Sequence, residues 1–274
     1  MTLHLVYKEH SGVPLEVEGV TPDATADQSL AEIAKREVYL GNERVPLGDF
    51  FDLSGDAADG QMLWEGDLSG VHWIGAKMGT GHIRVAGNAG RHLGSEMRGG
   101  EIIVDGNAGD WTGGEMRGGA IRVHGNAGHL VGAAYRGSPV GMKGGTILID
   151  GSAGNEVGHT MRRGMIVVGG RIGDLVGFNM LAGTVLALAE CGIRHGAGMR
   201  RGTLGLFGSQ PPPPMLSSFR HACRFRPEVM ALILAKLLRY GFSFDEALTG
   251  MDVDLFNGDM IEGGRGEILI RVGD

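Results

Sequence analysis

Residues 100–118 read GEIIVDGNAGDWTGGEMRG, and variants of this 19-residue unit recur through the middle of the chain. Seven methionines mark the repeats, at steps of 19 residues apart from one step of 26. They are Met78, Met97, Met116, Met142, Met161, Met180 and Met199. Self-similarity at one fixed period is typical of solenoid proteins, in which each unit stacks on the next.

Each unit contains a short strand whose apolar residues alternate, as Ile102 and Val104 do. The corresponding pairs are Ile83/Val85, Ile121/Val123, Ile147/Ile149, Ile166/Val168, Val185/Ala187 and Leu204/Leu206. Alternation with period two places these residues on one face of a strand. The pattern therefore predicts an all-β solenoid: a right-handed parallel β-helix of about seven 19-residue turns.

The flanks differ from the repeats and divide the chain into four predicted segments. Residues 1–65 are expected to form an α/β cap, 66–208 the β-helix, 209–224 a proline-rich linker and 225–274 a helical C-terminal extension. In that extension, Pro227 and Gly241 bound an amphipathic helix. A second short helix is expected at 244–248, a turn at Asn257-Gly258 and a final strand at 268–270.

Composition excludes several function classes. A net charge of −7 argues against nucleic acid as the main partner. Two cysteines, Cys191 and Cys223, are too few for an iron–sulfur cluster or a four-cysteine zinc site, and no close histidine pair suggests a metal site. Without an apolar leader or membrane-spanning run, we expect a cytoplasmic protein with no membrane partner.

One acid–base constellation follows the strands of adjacent repeats. Asp105, His124 and Asp150 occupy equivalent positions and should stack on the outer face. Stacked carboxylates permit the hypothesis of a stand-alone β-helix enzyme that cleaves an acidic polysaccharide. Each residue also immediately precedes a turn glycine, where Asp and His are ordinary, so we assign no catalytic residue.

A basic edge follows the methionines, because the next residue is usually cationic. Its members are Arg98, Arg117, Lys143, Arg162 and Arg200. Like charges at the spacing of adjacent strands are unfavourable unless they are neutralised. Glu96 and Glu115 are expected to neutralise part of the row, and the remainder is either an anion-binding edge or a solvated edge that prevents aggregation.

Two further irregularities mark candidate partner interfaces. The 26-residue step inserts a loop at 136–141, which brings Tyr135, Arg136 and Pro139 to one edge. The later strands are apolar on their outward side as well, at Met165, Val167, Leu186 and Phe207. A bare patch of this kind is unusual in a monomer, so either the C-terminal helix or another subunit should cover it.

These motifs carry a resemblance to a known family. The repeated Gly-x-x-Gly-x-x-x-Gly with Met-Arg-Gly-Gly-x-Ile resembles the β-helix shared by the glutamate synthase C-terminal domain and the C subunit of formylmethanofuran dehydrogenase. The non-repetitive start, the seven units and the tail NGDMIEGGRGE at 257–267 resemble the bacterial version, the C subunit of the formyltransferase/hydrolase complex. The archaeal type, from formylmethanofuran dehydrogenase itself, is the alternative.

The resemblance implies a role in one-carbon transfer. Such complexes move a formyl group from formyl-tetrahydromethanopterin to a methanofuran-type carrier and release formate. The chemistry is expected on an amidohydrolase-like metal subunit and a formyltransferase subunit, beside a dehydrogenase-like subunit. The C subunit is then a non-catalytic scaffold that binds no cofactor itself, and the basic edge is a candidate contact for the carrier's polyglutamyl tail.

Overall fold

The computed structural model describes residues 2–8 and 12–273, which form two β-sheets and a few short helices. The strands are β1 (Leu3–Tyr7), β2 (Leu15–Glu16), β3 (Glu37–Leu40), β4 (Glu43–Pro46), β5 (Phe51–Ser54), β6 (Gln61–Glu65), β7 (Val71–His72), β8 (His82–Ala86), β9 (Glu101–Val104), β10 (Ala120–Val123), β11 (Lys143–Ile149), β12 (Arg163–Val168), β13 (Thr184–Ala187), β14 (Arg201–Leu206), β15 (Arg220–Phe225), β16 (Val253–Gly258) and β17 (Arg265–Arg271). The helices are α1 (Pro22–Thr25), α2 (Leu30–Ala34), α3 (Leu47–Phe50) and α4 (Val229–Arg239), with 3-10 turns at Glu246–Leu248 and Met260–Glu262.

The larger sheet has 13 strands in the order β15-β16-β17-β14-β13-β12-β11-β10-β9-β8-β6-β1-β5. Its central strands are parallel, and equivalent repeat positions pair directly, as in Ile102↔Ile121 and Ile121↔Ile147. The second pair spans the long step, so the insertion leaves the register unchanged. A separate four-stranded sheet has the order β4-β3-β2-β7.

The prediction of a right-handed parallel β-helix with a helical C-terminal extension is wrong. The strands form one large mixed sheet, with antiparallel pairs at both ends, and each repeat adds a single strand to it. The rest of each repeat consists of turns and isolated bridges such as Ala89↔Ala108. The C-terminal segment adds three strands beside one helix, because the open edge of β14 offers unpaired backbone groups that β17 satisfies.

The predicted turn at Asn257-Gly258 is also wrong. Both residues belong to β16 and pair with Glu267 and Gly266 of β17. The chain reverses one step later, where the Asp259 carboxylate accepts a hydrogen bond from the Ile261 amide at 3.1 Å. The helix predicted between Pro227 and Gly241 is present as α4, and Gly241 follows it with φ +66°.

Two apolar cores lie on opposite faces of the large sheet. The first holds the inward residues of the repeats together with all seven repeat methionines, which are fully buried. The second lies between the outward side of the later strands and α4. Complete burial of such side chains contributes roughly 1.5–3 kcal/mol each, so both faces stabilise the sheet.

One glycine position in each repeat is required by the backbone. Gly94 has φ +59°, and a β-carbon there would collide with Cδ1 of Ile121 in the first core. Only glycine tolerates both the left-handed conformation and this close approach. Within residues 2–8 and 12–273, no helix is long and apolar enough to cross a membrane.

Candidate functional site

The basic edge is partly neutralised by glutamates from neighbouring repeats. Arg117 lies 3.6 Å from Glu96, and Lys143 lies 3.9 Å from Glu115. Both glutamates have positive φ, at 56° and 52°, so they stand at tight corners that project the carboxylates along the edge. The two acidic residues expected to neutralise the row thus do so for Arg117 and Lys143.

The C-terminal half of the edge has one neutralising partner that sequence reasoning missed. Glu262, from the 3-10 turn before β17, accepts a hydrogen bond from Nε of Arg200 at 3.0 Å. Among the residues that the structure describes, Arg98 and Arg162 make no ion pair. These two guanidinium groups therefore remain available to an external anion.

Arginines converge on a groove at this end of the edge. A cavity of about 560 Å³ is lined by Arg162, Arg163, Arg200 and Arg201, with the backbone of Gly164 and residues 181–183. Among the described residues, these four cations have one carboxylate partner, Glu262. Such a groove favours a ligand with several negative charges. Sequence reasoning missed Arg163 and Arg201, although the repeated Arg-Arg pair at the strand starts was a signal.

The two aspartates of the acid–base constellation, Asp105 and Asp150, are each ion-paired with an arginine. Arg122 donates to both carboxylate oxygens of Asp150, at 3.2 and 3.0 Å, and Nδ1 of His124 lies 2.7 Å from the same carboxylate. Nε of Arg84 donates to Asp105 at 3.0 Å. The two carboxylates are therefore separated into two ion-paired groups instead of facing one another across a shared substrate position.

Arg122 also fastens the C-terminal helix to the sheet. Its guanidinium donates to the backbone carbonyl of Tyr240, at the end of α4, and lies over the ring of Phe242 at 5.7 Å. The Arg122 side chain is only 15% exposed. An arginine that is buried and shared among these partners positions α4 instead of binding a mobile ligand.

The insertion loop borders an aromatic stack. Tyr135 is half-buried beside Trp73 and His92, while Arg136 and Pro139 are exposed. Burial raises the pKa of Tyr135 to about 12. A cavity of about 280 Å³ opens between this loop and Trp111. Tyr135 thus packs against the repeats, and the two exposed residues face outward.

The apolar outward residues are covered by this chain itself. Met165 is 8% exposed, and Val167, Leu186 and Phe207 are at most 1% exposed. They form the second core with residues of α4 and the segment after it, namely Met230, Leu234, Leu237, Phe242, Leu248 and Met251. Of the two occupants that the sequence allowed for this face, the structure places the C-terminal helix there.

The remaining nucleophilic and ligating side chains lie in the cores or apart from one another. His195 and Cys191 are buried; burial lowers the pKa of His195 and raises that of Cys191 to about 11. Across residues 2–8 and 12–273, no group of three or more His, Cys, Asp or Glu side chains is placed to hold a metal ion.

Comparison with known proteins identifies the family. No family model matches the chain. A chain of the formyltransferase/hydrolase complex FhcABCD from Methylorubrum extorquens, solved with methylofuran, superposes with a TM-score of 0.91 and 30% identity, covering 98% of this chain and 99% of that one. The chain belongs to the family of that subunit of the formyltransferase/hydrolase complex.

Relatives found by sequence are C subunits of such complexes and share a shorter region with this chain. The C subunit of tungsten-containing formylmethanofuran dehydrogenase 2 from Methanothermobacter marburgensis is 40% identical over 93 residues, which is 32% of this chain and 34% of the relative. The C subunit of the Fhc complex from Methylorubrum extorquens is 33% identical over 79 residues, 29% of either chain. The sequence match thus spans about a third of these curated relatives, whereas the structural match extends end to end.

Proposed function

We propose that this chain is a non-catalytic assembly subunit of a complex that moves a formyl group from formyl-tetrahydromethanopterin to a methanofuran-type carrier and releases formate. The observation that carries the proposal is the end-to-end superposition on a chain of FhcABCD. A chain that matches the whole fold of a complex subunit, flanking segments included, is favoured as a subunit of the same kind of complex. Its partners are the amidohydrolase-like, formyltransferase and dehydrogenase-like subunits.

The non-catalytic role is supported by the state of the acidic side chains. Asp105 and Asp150 are each held by an arginine, Arg84 and Arg122. Neither carboxylate is poised as a general base toward open solvent, since each forms charge-assisted hydrogen bonds within the chain. These ion pairs argue against the alternative enzyme that cleaves an acidic polysaccharide.

We assign the chain to the bacterial type of complex. The superposition with the Methylorubrum extorquens complex covers both chains almost completely. By sequence both matches are local, 32% of this chain for the archaeal relative and 29% for the C subunit from Methylorubrum extorquens, so the assignment depends on the structural match. We give the structural match more weight than the local sequence matches, because it includes the N- and C-terminal segments that complete the large sheet in this chain.

The arginine groove is our candidate contact for the carrier's polyglutamyl tail. Arg162 and Arg163 have no acidic partner in the described residues, and the groove at about 560 Å³ has room for several carboxylates. Arginine binds carboxylates in a planar, two-pronged geometry that suits such a tail. Screening by salt should weaken this contact.

Native purification tests the assembly role. A tag on this chain should recover a hetero-oligomer that contains metal-binding and transferase subunits and has formyl-transfer activity. A chain that purifies alone, or one that cleaves an acidic polysaccharide unaided, would overturn the proposal.

Charge reversal tests the groove. Arg162→Glu should raise the KM of the assembled complex for the polyglutamyl carrier by about tenfold at low salt, as expected when a charged contact at a groove is lost. Arg171→Glu is the matched control, because Arg171 is exposed at a different corner of the repeats. Arg200→Glu should act in the same direction, with an added effect from the loss of the contact with Glu262. Equal kinetics for the Arg162 and Arg171 variants at every salt concentration would remove the groove from carrier binding.

A further inference from the structure

The edge strand β15 buries nothing within this chain. All six of its residues, Arg220–Phe225, are exposed, although the strand closes one end of the 13-stranded sheet. A strand normally joins a sheet because its side chains pack on at least one face. By comparison, β5 at the other end of the 13-stranded sheet buries Phe51. Strand β4, at one end of the four-stranded sheet, ends in Pro46, which has no backbone N–H to offer.

The outer backbone of β15 has no partner among residues 2–8 and 12–273. Its pairing with β16 is antiparallel and uses one side of the strand. Among the described residues, no backbone group of 220–226 bonds to anything on the other side. A bulge between His221 and Cys223 leaves Cys223, Arg224 and Phe225 as the regular part of this open edge.

The buried part of the apolar face under α4 also ends next to β15. Phe225 and Cys223 lie opposite Val253 and Leu255, so they share the face that packs under α4. Val253 is fully buried, whereas Phe225 is 39% exposed and Cys223 is exposed. The apolar face of the sheet under α4 therefore continues onto β15, where the described residues leave it exposed.

The charges of β15 argue against a second copy as the occupant. Antiparallel pairing of two copies centred on Cys223 would set Arg220 against Arg226, and pairing centred on Arg224 would set that residue against itself. Like charges directly opposite one another destabilise a sheet. Arg224 and Arg226 already pair with Asp254 and Asp252 of this chain, whereas Arg220 has no ion pair within the described residues. A strand with a carboxylate opposite Arg220 would therefore be complementary.

We propose that β15 is a docking edge to which another subunit adds a β-strand. That strand presents apolar side chains toward Cys223 and Phe225 and a carboxylate toward Arg220. Main-chain hydrogen bonds supply part of the affinity and the alternating side chains supply the specificity, as in other cases of strand addition. The inference rests on the proposed function, because it needs an assembled complex.

Amide hydrogen exchange in the assembled complex tests the added strand. An open edge strand protects only those N–H groups that point to its neighbour, about half of them, while an enclosed strand protects nearly all. We expect nearly complete protection across 220–225 and half protection in β4 of the same chain. Half protection in both would overturn the inference and leave the proposed function standing. Failure to recover any complex would overturn the proposed function instead.

Substitution and alkylation give independent readouts. Phe225→Asp should weaken assembly at least about tenfold, the loss expected for a central interface side chain. Tyr39→Asp is the control, because Tyr39 is 41% exposed on the smaller sheet, and it should change affinity less than about twofold. In the wild-type complex, iodoacetamide should spare Cys223, which it should modify in the isolated chain. Modification at equal rates, or an isolated chain that dimerises through β15, would overturn the inference.

Discussion

The imidazole of His92 lies flat on the indole of Trp73, with ring centroids 4.1 Å apart and planes 7° apart. Trp111 stacks on the other side at 5.3 Å. All three residues have positive φ, because each stands at the same corner of successive repeats. The stack therefore places a histidine between two aromatic rings, and burial lowers its pKa to about 4.

This histidine should make stability depend on pH. Between about pH 6.5 and about pH 4 the unfolded chain binds a proton that folded His92 does not, so the free energy of unfolding falls as pH falls through this window. His72 and His195, whose pKa values burial also lowers, act in the same direction. His92→Phe keeps the stacking and should remove on the order of 1 kcal/mol of this pH dependence, given partial solvent screening.

Urea unfolding at pH 7 and pH 4.5 measures the effect. His82→Phe is the control, since the His82 side chain is 56% exposed. A His92 variant that loses as much stability in acid as the wild type would contradict the assignment.

Adjacent isoleucines on β9 should differ sharply in their contribution. Ile102 is fully buried in the first core, whereas Ile103 points to the outward face and is partly exposed. Ile102→Ala should cost about 2–5 kcal/mol, because it leaves a cavity in a packed interior, and Ile103→Ala about 1 kcal/mol or less. Denaturant unfolding of both variants checks the difference, and equal losses would mean that the strand faces are misassigned.

The repeat glycine should resist substitution. Gly94→Ala forces a β-carbon into Ile121 and a side chain into a left-handed backbone, so it should cost more than about 2 kcal/mol. Gly70→Ala is the control: a β-carbon there meets nothing within 4 Å. Thermal unfolding should show a large fall in Tm for the first variant and almost none for the second.

Helix α4 provides a second pair of neighbouring residues. Leu237 is fully buried against the sheet and Leu238 is 64% exposed. Leu237→Ala should lower the free energy of unfolding by about 2–4 kcal/mol and speed amide exchange across α4, whereas Leu238→Ala should stay within about 0.5 kcal/mol. If α4 were only loosely docked, both variants would behave like the wild type.

Local patterns predicted the strands of the repeats and the helix α4. Alternation identified Ile102 and Val104 as core residues, because the direction of a side chain along a strand depends only on its position in that strand. The local patterns did not predict the sheet that those strands build. A period shows that units stack, but it contains no information on how residues outside the repeats extend the sheet.

Some contacts of the candidate site were predictable from the sequence and others were not. The basic row and the partners Glu96 and Glu115 were predictable, since equivalent positions of adjacent repeats become neighbours. The Arg200–Glu262 pair was not, because 62 residues separate its members and only the reversal after β16 brings them together. The contact between Arg122 and the carbonyl of Tyr240 was unpredictable for the same reason, because 118 residues separate the two.

The sequence by itself determined the spacing of the repeats, the inward side chains and the family resemblance, because these depend on residue types at short or regular intervals. The tertiary structure decided that the sheet is mixed and 13-stranded, that α4 covers the later apolar face and that β15 leaves an open edge. Those features arise from packing and hydrogen bonding between segments far apart in the chain, and no local pattern specifies which distant surfaces meet.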